Sequence, residues 1–337
     1  MMDGTPPPDT RTIADGSGTG RRHDSADKQV QGAAPYADDA REPQGTLHAQ
    51  FGLAAIACGR VNRADLAAVR AAPGVIAVLT GDDIPGDNQI GPVAHDEPML
   101  ALAQGTADVH YHAQALFMVV ADTREQARRA ARLATIDYDE QPPILTIEQA
   151  MAVGAMLQPP YRMARGDARA AIDTAPHRLV GSIEIGGQEH FYLEGQVALA
   201  TPGEDGDVHV LSSTQHPSET QMICAHVLGL PAHAVTVEVR RMGGGFGGKE
   251  TQGNLVAAGA ALAATVTGRP VKLRLDRDDD MAITGKRHDF VIDYACGFDG
   301  EGRILGARFV QKARCGWSLD LSSAICDRAM FHADNAY

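Results

Sequence analysis

Residues 240–250 read Arg-Arg-Met-Gly-Gly-Gly-Phe-Gly-Gly-Lys-Glu. A strand-like run, Val235 to Val239, precedes them, and an Ala-rich helical run, Thr251 to Val266, follows. A glycine loop between a strand and a helix aims backbone N–H groups and a helix N-terminus at whatever lies above it, which suits a phosphate or another oxyanion. A Walker-type loop matches Gly243-x-x-x-x-Gly248-Lys249, but the next residue must be a magnesium-binding hydroxyl and here it is Glu250. A dinucleotide fingerprint matches Gly243-x-Gly245-x-x-Gly248, yet the acid that ends the following strand, Asp276, lies 28 residues beyond Gly248 instead of about 20. The plainest reading is a structural glycine turn.

On both sides of the loop strand-like runs recur, at 179–185, 197–200, 208–212 and 271–275, with a helix at 218–228. Together with the loop they define a domain over 165–337, which stops at Tyr337 with no polar tail. Upstream, 45–155 alternates the two periodicities. Strands are expected at 47–53, 75–80, 109–121 and 134–138, and helices at 63–72, at 124–133 behind the capping pattern Thr123-Arg-Glu-Gln, and after Thr146. Residues 1–44, rich in Pro, Gly, Asp, Ser and Thr, read as a flexible N-terminal arm. Within that arm Gly16-Ser-Gly-Thr-Gly20 faintly resembles a phosphate loop, without the strand and helix that such a loop needs. The fold class is α+β.

Composition excludes several functions. A formal net charge of −13 over 337 residues, spread along the chain, argues against a nucleic-acid binder, which needs a concentrated basic surface. No window approaches the roughly 20 apolar residues that span a bilayer, and no secretory leader is visible, so a cytoplasmic protein without membrane contact is expected. Five scattered cysteines form neither a metal pair nor a disulfide framework and read as mostly core thiols. His110 and His112 alternate on one expected strand face with no third metal ligand. The acid run Asp278-Asp279-Asp280, flanked by Arg277, Lys286 and Arg287, reads as a solvated turn.

The run RRMGGGFGGKE, with Gly186-Gly-Gln-Glu-His-Phe-Tyr-Leu-Glu194, Ser212-Ser-Thr-Gln-His216, Asp276-Arg-Asp-Asp-Asp-Met281 and Ile283-Thr-Gly-Lys-Arg-His288, resembles the molybdenum-binding subunit of bacterial xanthine dehydrogenase, in the xanthine oxidase and aldehyde oxidase family. The similarity runs from about Gly32 to Tyr337 with the motifs in order. It implies an α/β hammerhead domain over 45–155 and the first part of a mixed α/β molybdopterin-binding domain over 165–337. It implies a molybdenum–molybdopterin cofactor whose metal is held by the pterin dithiolene and by no side chain. The implied oxidoreductase activity is hydroxylation of hypoxanthine and xanthine to uric acid. Electrons would leave through 2Fe-2S and FAD centres on a partner subunit, in a hetero-oligomer.

By that resemblance the Gln188 amide hydrogen-bonds an oxygen ligand of the molybdenum, the backbone of Phe246 and Gly247 approaches the cofactor, and Glu250 contacts the purine and stabilises charge moving onto its ring. His190, Phe191 and Tyr192 read as strand packing beneath the site. In the hammerhead strand the family's Val-Gly-Gln-Pro is replaced by His112-Ala113-Gln114-Ala115. The family's substrate-binding arginine motif and the late Gly-Glu-Pro-Pro motif that carries its general base do not occur in these residues. The chain is therefore expected to be an N-terminal portion, inactive alone. The alternatives are an aldehyde oxidase or carbon monoxide dehydrogenase with the same fold, and a non-catalytic fragment that only docks the partner subunit.

Overall fold

The computed structural model describes residues 23–333; the glycine run at 16–20 lies outside them. The chain divides into two units, 1–35 and 36–337. Among the described residues of the first, a short helix, α1, covers Ala26–Val30.

The second unit begins with strands β1 (Leu47–Leu53), β2 (Gly59–Asp65) and β3 (Val75–Leu79), with helix α2 (Ala67–Arg70) between the last two. Strands β4 (Ala107–Val109), β5 (Ala115–Ala121) and β6 (Thr135–Glu140) follow, with α3 (Arg124–Ala131) before β6. Helices α4 (Ile147–Val153) and α5 (Ala168–Thr174) lead to β7 (His177–Ile185), β8 (Val197–Pro202) and β9 (Val208–Ser212). Then come α6 (Pro217–Leu228), β10 (Val235–Glu238), α7 (Gly253–Thr267), β11 (Val271–Arg274) and α8 (Arg277–Ile283). The hairpin β12 (Phe290–Phe298) and β13 (Ile304–Ala313) and helix α9 (Ser322–Phe331) complete the order.

One seven-stranded sheet, β10-β9-β8-β11-β1-β5-β3, runs through both halves of this unit. Its junction is β1, which pairs parallel with β11 (Leu47 opposite Val271) and antiparallel with β5. The apolar residues of these strands dictate that central place. β5 is buried at every position and β1 buries Leu47, Ala49 and Phe51, so each needs neighbours on both edges and cover on its faces. Much of the cover is α7, whose Ala-rich surface is buried at every residue from Gly253 to Ala264; a helix apolar all round belongs inside a core. It ends on Gly268 at φ +63°, a left-handed cap.

Two three-stranded sheets flank this core, β4-β2-β6 and β13-β12-β7. The helix expected at 63–72 is shorter than read: β2 runs to Asp65, and only Ala67–Arg70 is helical. β2 is largely exposed, so its sequence carries no apolar alternation to signal a strand. The strand expected at 109–121 is broken by a turn at 110–114, which takes His110 and His112 off any common strand face. Ala113 sits in that turn at φ +71°, buried, where the resembled family has glycine. The core-thiol expectation holds for Cys224 alone, whose thiol burial pushes up to about 12; Cys58, Cys296, Cys315 and Cys326 are half-buried. Helix α5 packs on one face of β12 and β13 through Gly297 and Gly306, whose added Cβ atoms would lie 2.7 Å from its C-cap residue Ala175 and 2.9 Å from Ala171. The opposite face carries Leu179, Ile183, Tyr294 and Phe309, with Leu179, Ile183 and Phe309 half-exposed. Among the described residues no helix is long and apolar enough to cross a membrane.

Candidate active site

The glycine loop leaves β10 and reaches Lys249 gripped at both ends by side chains from elsewhere. Glu194 holds the first end: its carboxylate accepts from Gly243 N at 2.8 Å and its own N–H donates to Gly243 O at 3.1 Å. Gln215 holds the second, its amide oxygen accepting from Gly247 N at 2.9 Å and Lys249 N at 3.1 Å while its N–H donates to Lys249 O at 2.8 Å. These contacts demand glycine. A Cβ on Gly245 would lie 2.4 Å from the Gln215 amide, and one on Gly248 would lie 2.6 Å from the His190 ring. Between the grips the crest turns through left-handed backbone, Phe246 at φ +57° and Gly247 at φ +91°, and Phe246 is 73% exposed.

Beneath the crest lies a buried ionic shelf. The Lys249 ammonium, fully buried, stands 3.2 Å from Glu194 and 4.7 Å from the Tyr192 ring centroid. Burial lowers the Lys249 pKa, and the Glu194 carboxylate opposes that shift. The Tyr192 hydroxyl donates to Asp280 at 2.6 Å and accepts from Gln196, whose amide also donates to Gly248 O at 2.9 Å. Arg277 covers the rings of Phe191 and Tyr192.

This shelf corrects two expectations and gives a further physical reason against the two phosphate readings already set aside. The acid run is the first turn of α8: Asp280 is buried as the acceptor for Tyr192, Asp279 is half-buried and accepts from Gln50 Nε2 at 2.9 Å, and Asp278 is exposed. Residues 190–192 lie in a loop and not a strand: the His190 ring and Tyr192 pack against Gly248, and Phe191 is exposed. Lys249 points down to Glu194, so it cannot serve as a phosphate-loop lysine, and Asp276 is occupied by Arg124 and Arg128 at the end of the hammerhead segment.

Gln188 lies on the exposed rim. Its amide oxygen accepts from the Arg287 guanidinium at 2.6 Å, and the two backbones form a single bridge. Glu250 is half-buried three residues before α7, outside that helix's first turn, with its N–H donating to Gly247 O at 3.4 Å. Two residues on, Gln252 accepts from Gly285 N at 2.9 Å, so the segment carrying Arg287 touches both Gln188 and the end of the glycine loop.

A second acidic group borders the site. Asp320, at φ +41°, has its pKa raised first by burial, with the Glu250 charge adding to it. Glu97 is buried and accepts from Ser318 at 2.9 Å, and burial pushes it up to about 7, with Asp320 contributing. Trp317 stacks on Tyr111 at 4.9 Å, and it helps line a cavity of about 20 Å³ with Glu97, Thr251 and Gln252. That is room for one water.

The loop and rim supply amide and N–H donors in place of side-chain metal ligands. Among the described residues the N–H groups of Gly245 and Phe246 donate to no protein partner, and no group of three His, Cys, Asp or Glu side chains is placed to hold a metal ion. Such a donor set fits a cofactor that carries its metal on its own organic ligand and exposes acceptor atoms.

The comparisons agree with this chemistry. Residues 154–337 match the family model of the molybdopterin cofactor-binding domain, and residues 31–142 match the hammerhead domain of aldehyde oxidase and xanthine dehydrogenase. The chain belongs to the xanthine dehydrogenase and aldehyde oxidase family. Its family relatives include xanthine dehydrogenase 1 of Arabidopsis thaliana, 42% identical over 98% of this chain and 24% of that protein. The xanthine dehydrogenase of Drosophila subobscura is 40% identical over 96% of this chain and 24% of that protein. The chain thus spans about a quarter of the length of these curated relatives. Among solved structures, aldehyde oxidoreductase from Desulfovibrio gigas superposes with a TM-score of 0.75 at 26% identity, covering 86% of this chain and 34% of that one. Quinoline 2-oxidoreductase from Pseudomonas putida 86 gives 0.74 at 25% identity, over 87% and 39%. The mixed α/β fold of a hammerhead domain and a molybdopterin-binding domain is therefore the family fold.

The motif blocks contain Glu194, Gln215 and Arg287, but in the sequence the first two carry no visible role and Arg287 stands only as a charge near the acid run. A carboxylate 49 positions upstream of Gly243 leaves no sequence signal that the two will meet. The same holds for the ion pair between Glu194 and Lys249.

Proposed function

We propose that this chain is the part of a molybdenum hydroxylase that presents the glycine loop to the cofactor and Glu250 to a purine, in an enzyme that oxidises hypoxanthine and xanthine to uric acid. The observation that carries the reading is the loop itself: a glycine crest with free N–H groups, flanked by an outward amide at Gln188 and a carboxyl group at Glu250. The names of the 40–42% identical relatives support the purine as substrate. A carboxyl group suits a hydrogen-bonding heterocycle better than an apolar aldehyde. Bound at the loop, the molybdenum–molybdopterin group would supply the oxidation of the purine carbon. Gln188, Phe246 and Gly247 are the residues that would face it.

The remaining work falls to side chains of this chain. The Gln188 NH2 donates towards the cofactor side, because its oxygen is held by Arg287. Glu250 hydrogen-bonds the purine and orients it. Through that hydrogen bond Glu250 stabilises charge developing on the ring. The Lys249–Glu194 pair and Gln215 keep the crest in place, as a fixed donor array costs little reorganisation during reaction. Electrons would pass to 2Fe-2S and FAD centres on a partner subunit of a hetero-oligomer.

Substrate profiling tests the proposal. The molybdenum-loaded enzyme containing this chain is expected to oxidise xanthine and hypoxanthine with kcat/KM well above that for benzaldehyde or quinoline. Turnover of aldehydes without purine oxidation would contradict it.

A further inference from the structure

We propose that Arg287 is a positioning residue that fixes the orientation of the Gln188 side-chain amide, turning its oxygen inward and its NH2 group towards the cofactor side. The inference rests on the reading of Gln188 given above, and it assigns work to a cation that the sequence suggests only as charge balance for the acid run. The Arg287 Nη1 donates to Gln188 Oε1 at 2.6 Å, and the Arg287 N–H donates to Gln188 O at 3.0 Å. The backbones are in close contact: a Cβ on Gly187 would lie 2.9 Å from Arg287 O. The side-chain contact is therefore delivered by a fixed main-chain bridge.

The chemistry of the two groups decides the orientation. A guanidinium has donors only, whereas a glutamine amide has one acceptor end and one donor end. Held against Arg287, the amide has to place oxygen inward, so both Nε2 protons point away from it. A short bond to a charged donor makes that choice a strong one. The neighbouring cation does not compete for the role, since Lys286 is engaged with Glu189 at 2.9 Å and Thr284 O at 2.7 Å. If Arg287 only balanced charge it would face a carboxylate, yet its side-chain partner is a neutral amide.

The test separates orientation from bulk stability. In the 337-residue chain labelled with 15N-glutamine, the Gln188 Nε2 resonances are identified by their loss in Gln188→Ala. Arg287→Met removes the donor and lets the amide turn. Arg287→Glu places an acceptor-only group opposite it and is expected to invert it, slowing solvent exchange of one Nε2 proton on the order of tenfold. Identical exchange and shifts in the wild-type chain and either folded variant overturn the proposal, so the loss of one variant to misfolding leaves the other decisive. In the molybdenum-loaded enzyme, Arg287→Met is expected to lower kcat about 10- to 100-fold at unchanged molybdenum content. It is also expected to add nothing to Gln188→Ala, and additive losses overturn the proposal. A Gln188→Ala enzyme with unchanged kcat instead defeats the role given to Gln188, while the exchange measurement still decides what Arg287 does to the amide.

Discussion

Replacing Lys249 by methionine removes the ammonium that closes the shelf under the glycine loop, and the structure sets the size of the loss. Lys249 is fully buried and the Glu194 side chain is only 7% exposed, with 3.2 Å between nitrogen and oxygen. Taking one partner from a buried pair leaves an uncompensated charge and costs about 3–5 kcal/mol. Glu194 keeps two backbone donors, Gly243 N at 2.8 Å and Ala37 N at 3.0 Å, which places Lys249→Met at the lower end of that range. Methionine fills the volume, so the cost is electrostatic rather than a cavity. Adding Glu194→Gln removes the stranded charge; its single amide oxygen keeps one of those two donors, which lie on different carboxylate oxygens, and losing the other acceptor costs less than an unpaired buried charge. The double variant is therefore expected to be more stable than Lys249→Met by at least about 1 kcal/mol. Urea denaturation of wild type, both single variants and the double variant completes the cycle. A loss below about 1 kcal/mol for Lys249→Met, or additive single effects, would refute the view that this pair clasps the loop.

Three further outcomes follow from other parts of the molecule. Ala113→Gly relieves a non-glycine residue at φ +71° and is expected to raise stability by about 1 kcal/mol in the same denaturation assay. Glu97 has a folded-state pKa of about 7 against 4.5 unfolded, so the stability linked to it is fully present below about pH 4.5 and is lost as pH rises through 7. Glu97→Gln should flatten that decline, worth about 3 kcal/mol for a shift of this size, in melting curves taken across the window. Replacing Ile183 and Phe309 by serine is expected to cut the fluorescence of a bound hydrophobic dye while leaving the circular dichroism spectrum unchanged, because both lie half-exposed on one apolar sheet face.

Where the sequence was legible, a single periodicity or a turn signal carried the information. The run from Val235 to Val266 declared strand, loop and helix, because the glycines interrupt two unambiguous patterns. The Thr123 and Thr146 caps marked their helices, and both side chains accept the expected N–H. β2 was missed because its exposed faces carry Arg, Asn and Asp, and a two-sided polar strand has no hydrophobic period. The β12–β13 hairpin was missed although Asp299-Gly300 stands at its turn, a signal that was available. Within the site, the loop, Gln188 and Glu250 could be named from motif. The grips of Glu194 and Gln215, the burial of Asp280 and the partner of Gln188 are contacts between segments 30 to 100 residues apart. Local sequence reports residue types and spacing, and these pairings arise only when the sheets bring the loops together.

The most direct test of the account is the kcat/KM for xanthine of the molybdenum-loaded enzyme containing this chain, compared between wild type and Glu250→Ala with molybdenum content measured in both. Uric acid is expected from the wild type, with a loss of about 10²- to 10³-fold in the variant at equal molybdenum. An equal kcat/KM in the two enzymes, or a wild type that holds molybdenum and leaves xanthine untouched, would contradict it.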